Sequence, residues 1–194
     1  MQKSMSAIVI FILAACSLPA MAGPGPRKAP ELSFYDRSGK ALSLSSFKGK
    51  VIVLEFLFVR SMHCARVAQT LNKLSNDLSS RGVQSLGVAF SAPQSEADAV
   101  TVENFIQSLR LAYPVGYTNK EDVDKFLERG KYDVLSIPQV VIIDRAGVIR
   151  AQSGARPGDP KLEDENSLRA LLDVLLKETP PQEKLVSSGK AVPQ

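Results

Sequence analysis

Residues 51–58 read VIVLEFLF, apolar at every position except Glu55, the pattern of a strand buried on both faces of a sheet. The period then changes. From 62 to 81 the apolar residues Ala65, Ala68, Leu71, Leu74 and Leu78 recur at three- and four-residue intervals, predicting an amphipathic helix that ends at Gly82. A second strand is predicted over 83–90, a helix over 97–111 and a short strand over 113–117. Asn119 is placed to cap a helix over 120–129. Residues 139–144 and 148–152 predict a hairpin around Arg145-Ala146-Gly147, and 167–177 a closing amphipathic helix. Ahead of these, 31–35 and 41–44 are short extended pieces about a turn at Ser38-Gly39. A βαβ unit followed by a hairpin and a final helix implies an α/β fold, a central mixed β-sheet flanked by helices.

The two ends break this pattern. Lys3 followed by the apolar run 7–15 has the form of an export signal, too short to span a bilayer, which takes about 20 residues. Two processing sites compete. Ala20-Met21-Ala22 has the small-x-small form of a signal peptidase site, so that 1–22 is removed; Leu13-Ala14-Ala15-Cys16 resembles a bacterial lipobox, so that 1–15 is removed and Cys16 is lipidated. Either reading places the mature protein outside the cytoplasm, in the periplasm or cell envelope, and the membrane is met only through a lipid on Cys16. Residues 23–28, within GPGPRKAP, read as a linker, 29–178 as one domain, and 179–194, with three prolines, as a disordered tail.

Composition narrows the chemistry. The 194 residues are 44% hydrophobic and 23% charged, which fits a packed globular domain. A net charge of +4 without a dense basic block, and no tryptophan, argue against a nucleic-acid partner. A single histidine and two cysteines, one of them in the leader, do not make a set of metal ligands, and no Gly-rich phosphate loop is present, so no cofactor is expected. Cys64 is then the only ordinary thiol of the exported chain. It cannot form an intramolecular disulfide and must pair between molecules, stay buried, or react.

The order of these elements carries a resemblance. The lead-in Ala29-Pro30-Glu31-Leu32 comes first, then Leu42-Ser43-Leu44 and Ser45-Ser46-Phe47-Lys48-Gly49-Lys50. The apolar strand 51–58, the loop Ser61-Met62-His63-Cys64 and the IPQVVIIDRAG stretch 137–147 follow. Together they resemble the thioredoxin superfamily, in its exported TlpA/ResA branch and the broader redoxin (AhpC/TSA-like) group, over about residues 29–176. The resemblance implies a thioredoxin-like fold and thiol–disulfide chemistry with protein or small-molecule thiols and disulfides as partners.

In that family the loop is Cys-x-x-Cys, the first cysteine being the exposed nucleophile and the second the buried, resolving one. Here Ser61 stands first and Cys64 second, so the two-cysteine cycle is not available. The resemblance assigns Glu55 to the buried acid that exchanges a proton with the second cysteine, and an isolated buried carboxyl asks for a reason. His63 precedes Cys64 as in the Cys-Pro-His-Cys loops of DsbA-like oxidases, where a protonated ring stabilises a thiolate. Pro138, with Ile137 before it, falls at the cis-proline that helps bind extended substrate chains. Each has a plainer reading: a solvated Glu55, an exposed loop histidine, an ordinary turn proline.

Three functions follow, in order. The first is single-cysteine thiol–disulfide redox activity at Cys64, with Ser61, Glu55 and His63 around it. The second is a binding module that holds extended chains near Pro138 without chemistry. The third is a one-cysteine peroxidase, suggested by Ser61-x-x-Cys64. It is the weakest because Leu57 replaces the peroxiredoxin proline and Pro138 fills the place of the activating arginine. The polar stretch 91–99 reads as a surface loop near the same end of the sheet.

Overall fold

All seven residues of the central strand, Val51–Leu57, are buried, and the rest of the chain is arranged about its two faces. The computed structural model describes residues 26–92, 96–130, 132–154 and 161–178. The leader (1–22) with Cys16, residues 23–25 of the linker, the tail 179–194 and Pro93-Gln94-Ser95 of the polar loop lie outside the described residues.

Among the described residues eight strands form one sheet. They are β1 (Arg27–Lys28), β2 (Ser33–Asp36), β3 (Ala41–Ser43), β4 (Val51–Leu57), β5 (Val83–Phe90), β6 (Val115–Thr118), β7 (Gln139–Ile143) and β8 (Val148–Gln152). Their order is β1-β8-β7-β4-β5-β6-β2-β3. β4, β5 and β6 run parallel, while β7 and β8 on one side and β2 and β3 on the other add antiparallel. The helices are α1 (Met62–Leu78), α2 (Ala99–Leu109), α3 (Lys120–Phe126) and α4 (Glu165–Lys177). This is the expected α/β architecture with a mixed sheet.

Alternation along β4 divides the core in two. Val51, Val53 and Leu57 pack with Leu71 and Leu74 of α1, Val102 and Phe105 of α2, and Leu168 and Leu172 of α4. Ile52, Leu54 and Phe56 face the other way, with Phe34, Leu86, Val88 and Phe126 of α3. Glu55 shares the parity of Val53 and Leu57. The pleat therefore sends its side chain toward the α1, α2 and α4 layer, between Gly87 of β5 and Val140 of β7. A Cβ at Gly87 would sit 3.2 Å from Val115 Cγ1 and 3.3 Å from Leu57 Cδ2, so this stretch of the helix-facing layer is closely packed.

Most differences from the expected elements lie at their ends. The first long helix tightens into a 3-10 turn at Ser79–Arg81, because Gly82 leaves the helix in the left-handed region at φ 95°. Asn119 caps α3 as expected, its side chain accepting the Asp122 amide. The closing helix starts two residues earlier than its apolar period suggests, since Asp164 caps it, its side chain accepting the free Ser167 amide of the first turn at 2.9 Å. The linker expected up to residue 28 contains β1. Arg27 and Lys28 pair with Ile149 and Val148, closing one edge of the sheet.

Candidate active site

The loop leaving β4 turns at once into α1. The Ser61 amide donates to the Phe58 carbonyl at 3.0 Å, and Ser61 becomes the N-cap of α1. Its Oγ accepts the Cys64 amide at 3.3 Å, satisfying one of the free donors of the first turn. Cys64 thus lies one turn inside the helix, on its inner face, with no exposed surface. The Phe58 amide donates to its Sγ at 3.4 Å.

Opposing influences act on this thiol. Burial pushes its pKa up from the ordinary value and is the largest effect. Hydrogen bonds from the Ser61 hydroxyl and the Phe58 amide pull it down, and the charge of Glu55 pushes it up again. The balance is upward, so Cys64 rests as a protonated thiol. Ser61, at the position of the family's first cysteine, is half-buried and serves the helix and the sulfur; it is not itself a nucleophile.

Glu55 is fully buried, and neither carboxyl oxygen has a hydrogen-bond partner among the described residues. Burial, and after it the negative charge of Glu163, holds its pKa well above the usual carboxylate range. The carboxyl therefore keeps its proton to a higher pH than an ordinary carboxylate. Its influence reaches both Cys64 and the buried phenol of Tyr113, whose pKa is raised first by burial and then by Glu55. The Tyr113 hydroxyl donates to the Ala68 carbonyl of α1 at 3.3 Å.

His63, beside Cys64 in sequence, is half exposed, and its Nε2 lies 2.6 Å from Glu163 Oε2. The hydrogen bonds at the sulfur come from Ser61 and Phe58, while the imidazole is engaged with the segment that leads into α4. Leu162, next to Glu163, is buried in the same cluster as Cys64. Ion pairs from Lys73 to Glu165 (2.9 Å), Arg169 to Asp77 (2.6 Å) and Arg81 to Asp173 (2.9 Å) fasten α4 to α1 and its end, which fixes this segment across the start of α1.

The Ile137–Pro138 peptide bond is cis. Phe56 pairs with Gln139, so one step further along the register puts Pro138 opposite Leu57, where the chain departs toward Ser61. The start of β7 is held by Ser153, whose Oγ accepts from the Val140 amide at 2.7 Å and from Gln139 Nε2 at 3.1 Å. Ile137 is half-buried and packs against both halves of the core.

The fold thus brings Glu55, Ser61, His63 and Cys64 to the junction of β4 and α1, with Ile137 and Pro138 at the facing end of β7. Sequence reading missed Glu163 and Tyr113. Tyr113 lies in an apolar stretch with no signal of its own. Glu163 is 100 positions from His63, and its only local cue is the apolar Leu162 just before the Asp164 cap. Among the described residues no group of three or more His, Cys, Asp or Glu is arranged to hold a metal.

The sequence profile of the AhpC/TSA family matches residues 26–152, from β1 through the end of β8. The chain belongs to the AhpC/TSA family. It is similar to the thiol-disulfide oxidoreductase ResA of Bacillus thuringiensis, 25% identical over 138 residues that cover 71% of this chain and 74% of the relative. It is also similar to the thioredoxin-like protein YneN of Bacillus subtilis, 27% identical over 124 residues, 64% of this chain and 68% of that one. A thiol:disulfide interchange protein of the thioredoxin family from Chlorobium tepidum superposes with a TM-score of 0.63 at 22% identity, covering 80% of this chain and 99% of that one. The fold is that of the thioredoxin superfamily, and the relatives place the chain among thiol–disulfide oxidoreductase-like proteins of the redoxin and TlpA/ResA kind.

Proposed function

We propose that the protein is an exported redox protein that exchanges disulfides through one thiol, Cys64. The observation that carries this reading is Glu55, a buried carboxyl with no hydrogen bond to either oxygen among the described residues, electrostatically coupled to a buried thiol. Leaving a buried polar group unpaired costs about 1–3 kcal/mol, and a packing role would be served better by leucine. A buried thiol that must lose its proton away from water needs such an acceptor.

In the exchange step an extended partner lies along Pro138 and presents a disulfide to Cys64. The Cys64 proton passes to the ionised form of Glu55 as Sγ attacks. The Cys64–partner S–S bond forms, the partner's own S–S bond breaks, and the departing thiolate takes up a proton. The helix N-terminus and the Ser61 hydroxyl favour the transient Cys64 thiolate. With serine at position 61 no second thiol resolves the adduct, so an external thiol must release it. Export is supported by the leader at 1–22, processed after Ala22 or lipidated at Cys16.

Incubating the folded protein with oxidised glutathione tests the reading. A glutathione adduct on Cys64, released by excess thiol and absent from Cys64→Ser, is expected. A folded protein that stays unmodified across the pH range would overturn it.

A second reading is favoured by the complete burial of Cys64 and the upward balance on its thiol. On this reading the Pro138 face holds extended chains without chemistry. Partner binding would then survive Cys64→Ser undiminished, whereas exchange through Cys64 would be lost.

A further inference from the structure

Serine at position 61 leaves a Cys64 adduct without an internal resolving thiol, and the residues around the loop bear on which external thiol releases it. Arg60 directly precedes the N-cap of α1 and Arg66 lies in its second turn; both residues are exposed. Neither has an ion pair or a side-chain hydrogen bond among the described residues. Most arginines of this chain are otherwise committed. Arg27, Arg37, Arg81, Arg129, Arg150 and Arg169 are each paired with a carboxylate, and Arg145 donates to the Leu175 and Leu176 carbonyls of α4. Of the described arginines only Arg60, Arg66 and Arg110 remain, and two of these three flank the Ser61–Cys64 turn.

Local geometry gathers both charges at one end of the helix. Met62 and Arg66, four apart, share a face, and helical side chains lean toward the N-terminus. The Arg66 side chain therefore runs back over the first turn, beside a Met62 that is 77% exposed. Cys64 is only about 3 Å from Arg66 in rise along the helix, on the inner face. The first turn of α1 carries no acidic residue. Glu163, the acid in contact with the loop, is engaged by His63 at 2.6 Å. On the segment leading to Pro138, the Asp133 carboxylate accepts the Gly130 amide at 2.7 Å. An incoming thiol thus meets two uncompensated positive charges beside the sulfur it must release. Because Cys64 has no exposed surface, the outer sulfur of its adduct is itself recessed, which favours a small thiol over a folded protein.

We propose that Arg60 and Arg66 select the thiol that releases Cys64: a low-molecular-weight thiol bearing carboxylates, which pair with the two guanidinium groups at the start of α1. Its thiolate attacks the partner's sulfur in the adduct. A new S–S bond joins the small thiol to the partner, and the Cys64–partner bond breaks with its electron pair going to Sγ. The proton the small thiol gives up is matched by the one Cys64 regains. The small thiol is the reductant, and the adduct is reduced. The arginines touch neither sulfur; they concentrate and orient the anion. The inference rests on the single-thiol reading of Cys64 and deepens it by naming the class of resolving partner.

The test starts from the folded protein carrying a Cys64–mercaptoethanol adduct made with 2-hydroxyethyl disulfide. Appearance of the free thiol is followed by mass spectrometry with mercaptosuccinate (anionic), 2-mercaptoethanol (neutral) and cysteamine (cationic). Each rate is divided by that of the same thiol with free 2-hydroxyethyl disulfide, which removes intrinsic reactivity. At low salt, wild type is expected to favour mercaptosuccinate over mercaptoethanol about threefold to tenfold, the scale of two exposed charge contacts, with cysteamine slowest. High salt collapses the preference. In the double variant Arg60→Gln, Arg66→Gln the ratio falls to near unity, whereas Arg60→Lys, Arg66→Lys keeps most of it. Equal ratios for the three thiols in wild type, or a preference unchanged in the double glutamine variant, would overturn the selection alone. A wild-type protein that forms no adduct at any pH would overturn the single-thiol reading, and the selection with it.

Discussion

Glu55 and Cys64 are both wholly buried on the α1-facing side of the sheet, and the charge of the carboxylate raises the pKa of the thiol. The two groups therefore disfavour being ionised together and compete for one proton. This coupling links the stability of the core to the reactivity of the loop, and it makes each measurable through the other.

Replacing Glu55 by leucine is expected to stabilise the protein by about 1–3 kcal/mol, since it removes an unsatisfied buried carboxyl from an apolar layer. Chemical denaturation at pH 7 measures this. The same variant loses exchange at Cys64, so stability and activity move in opposite directions.

The pH dependence of stability has a defined sign. Glu55 has a higher pKa folded than its ordinary value of 4.5, so the folded state holds the proton more tightly. Its contribution is fully present below about 4.5 and is lost as the pH rises through the folded value. The helix caps Asp98 and Asp164 are shifted downward by their hydrogen bonds to Thr101 and Ser167. They act in a separate window, stabilising above about 3.8, their ordinary value, and failing as the pH falls further. Denaturation midpoints of Glu55→Gln should lack the decline above 4.5 and keep the acid limb.

Ser61→Ala removes both the α1 cap and the hydroxyl beside the sulfur. A loss of about 1 kcal/mol is expected from the cap. The Cys64 pKa rises further, because a hydrogen bond that lowers it is gone. Iodoacetamide alkylation against pH reads the second effect.

Ser61→Cys restores the family's pair at the N-cap of α1. The variant is expected to form a disulfide between positions 61 and 64, seen as a mass loss of two hydrogens, and to gain reductase activity toward protein disulfides. A variant with both thiols free under oxidising conditions would show that the loop geometry has departed from its relatives.

The parts legible from the chain are those whose signal is local. VIVLEFLF announces a strand buried on both faces, and the three- and four-residue spacing of Ala68, Leu71, Leu74 and Leu78 fixes the inner face of α1. The order of these with the Pro138 segment was enough for the family. β1 was not legible, since two polar residues carry no period and become a strand only by pairing with Ile149 and Val148. Glu55 is visible as an anomaly, but its lack of a hydrogen-bond partner among the described residues depends on what α1, α2 and α4 place above the sheet. The pairing of His63 with Glu163 is wholly tertiary, and it redirects a histidine whose place in the loop suggested service to the thiolate.

The rate of Cys64 exchange with 4,4′-dithiodipyridine, compared between wild type and Glu55→Gln across pH, tests the central claim most directly. Wild type is expected to show a rise in rate that tracks deprotonation of Glu55, above the ordinary carboxylate range. Glu55→Gln should lose that rise and keep only the rise from the thiol, displaced to lower pH. Identical profiles for the two proteins would contradict a proton shared between Glu55 and Cys64.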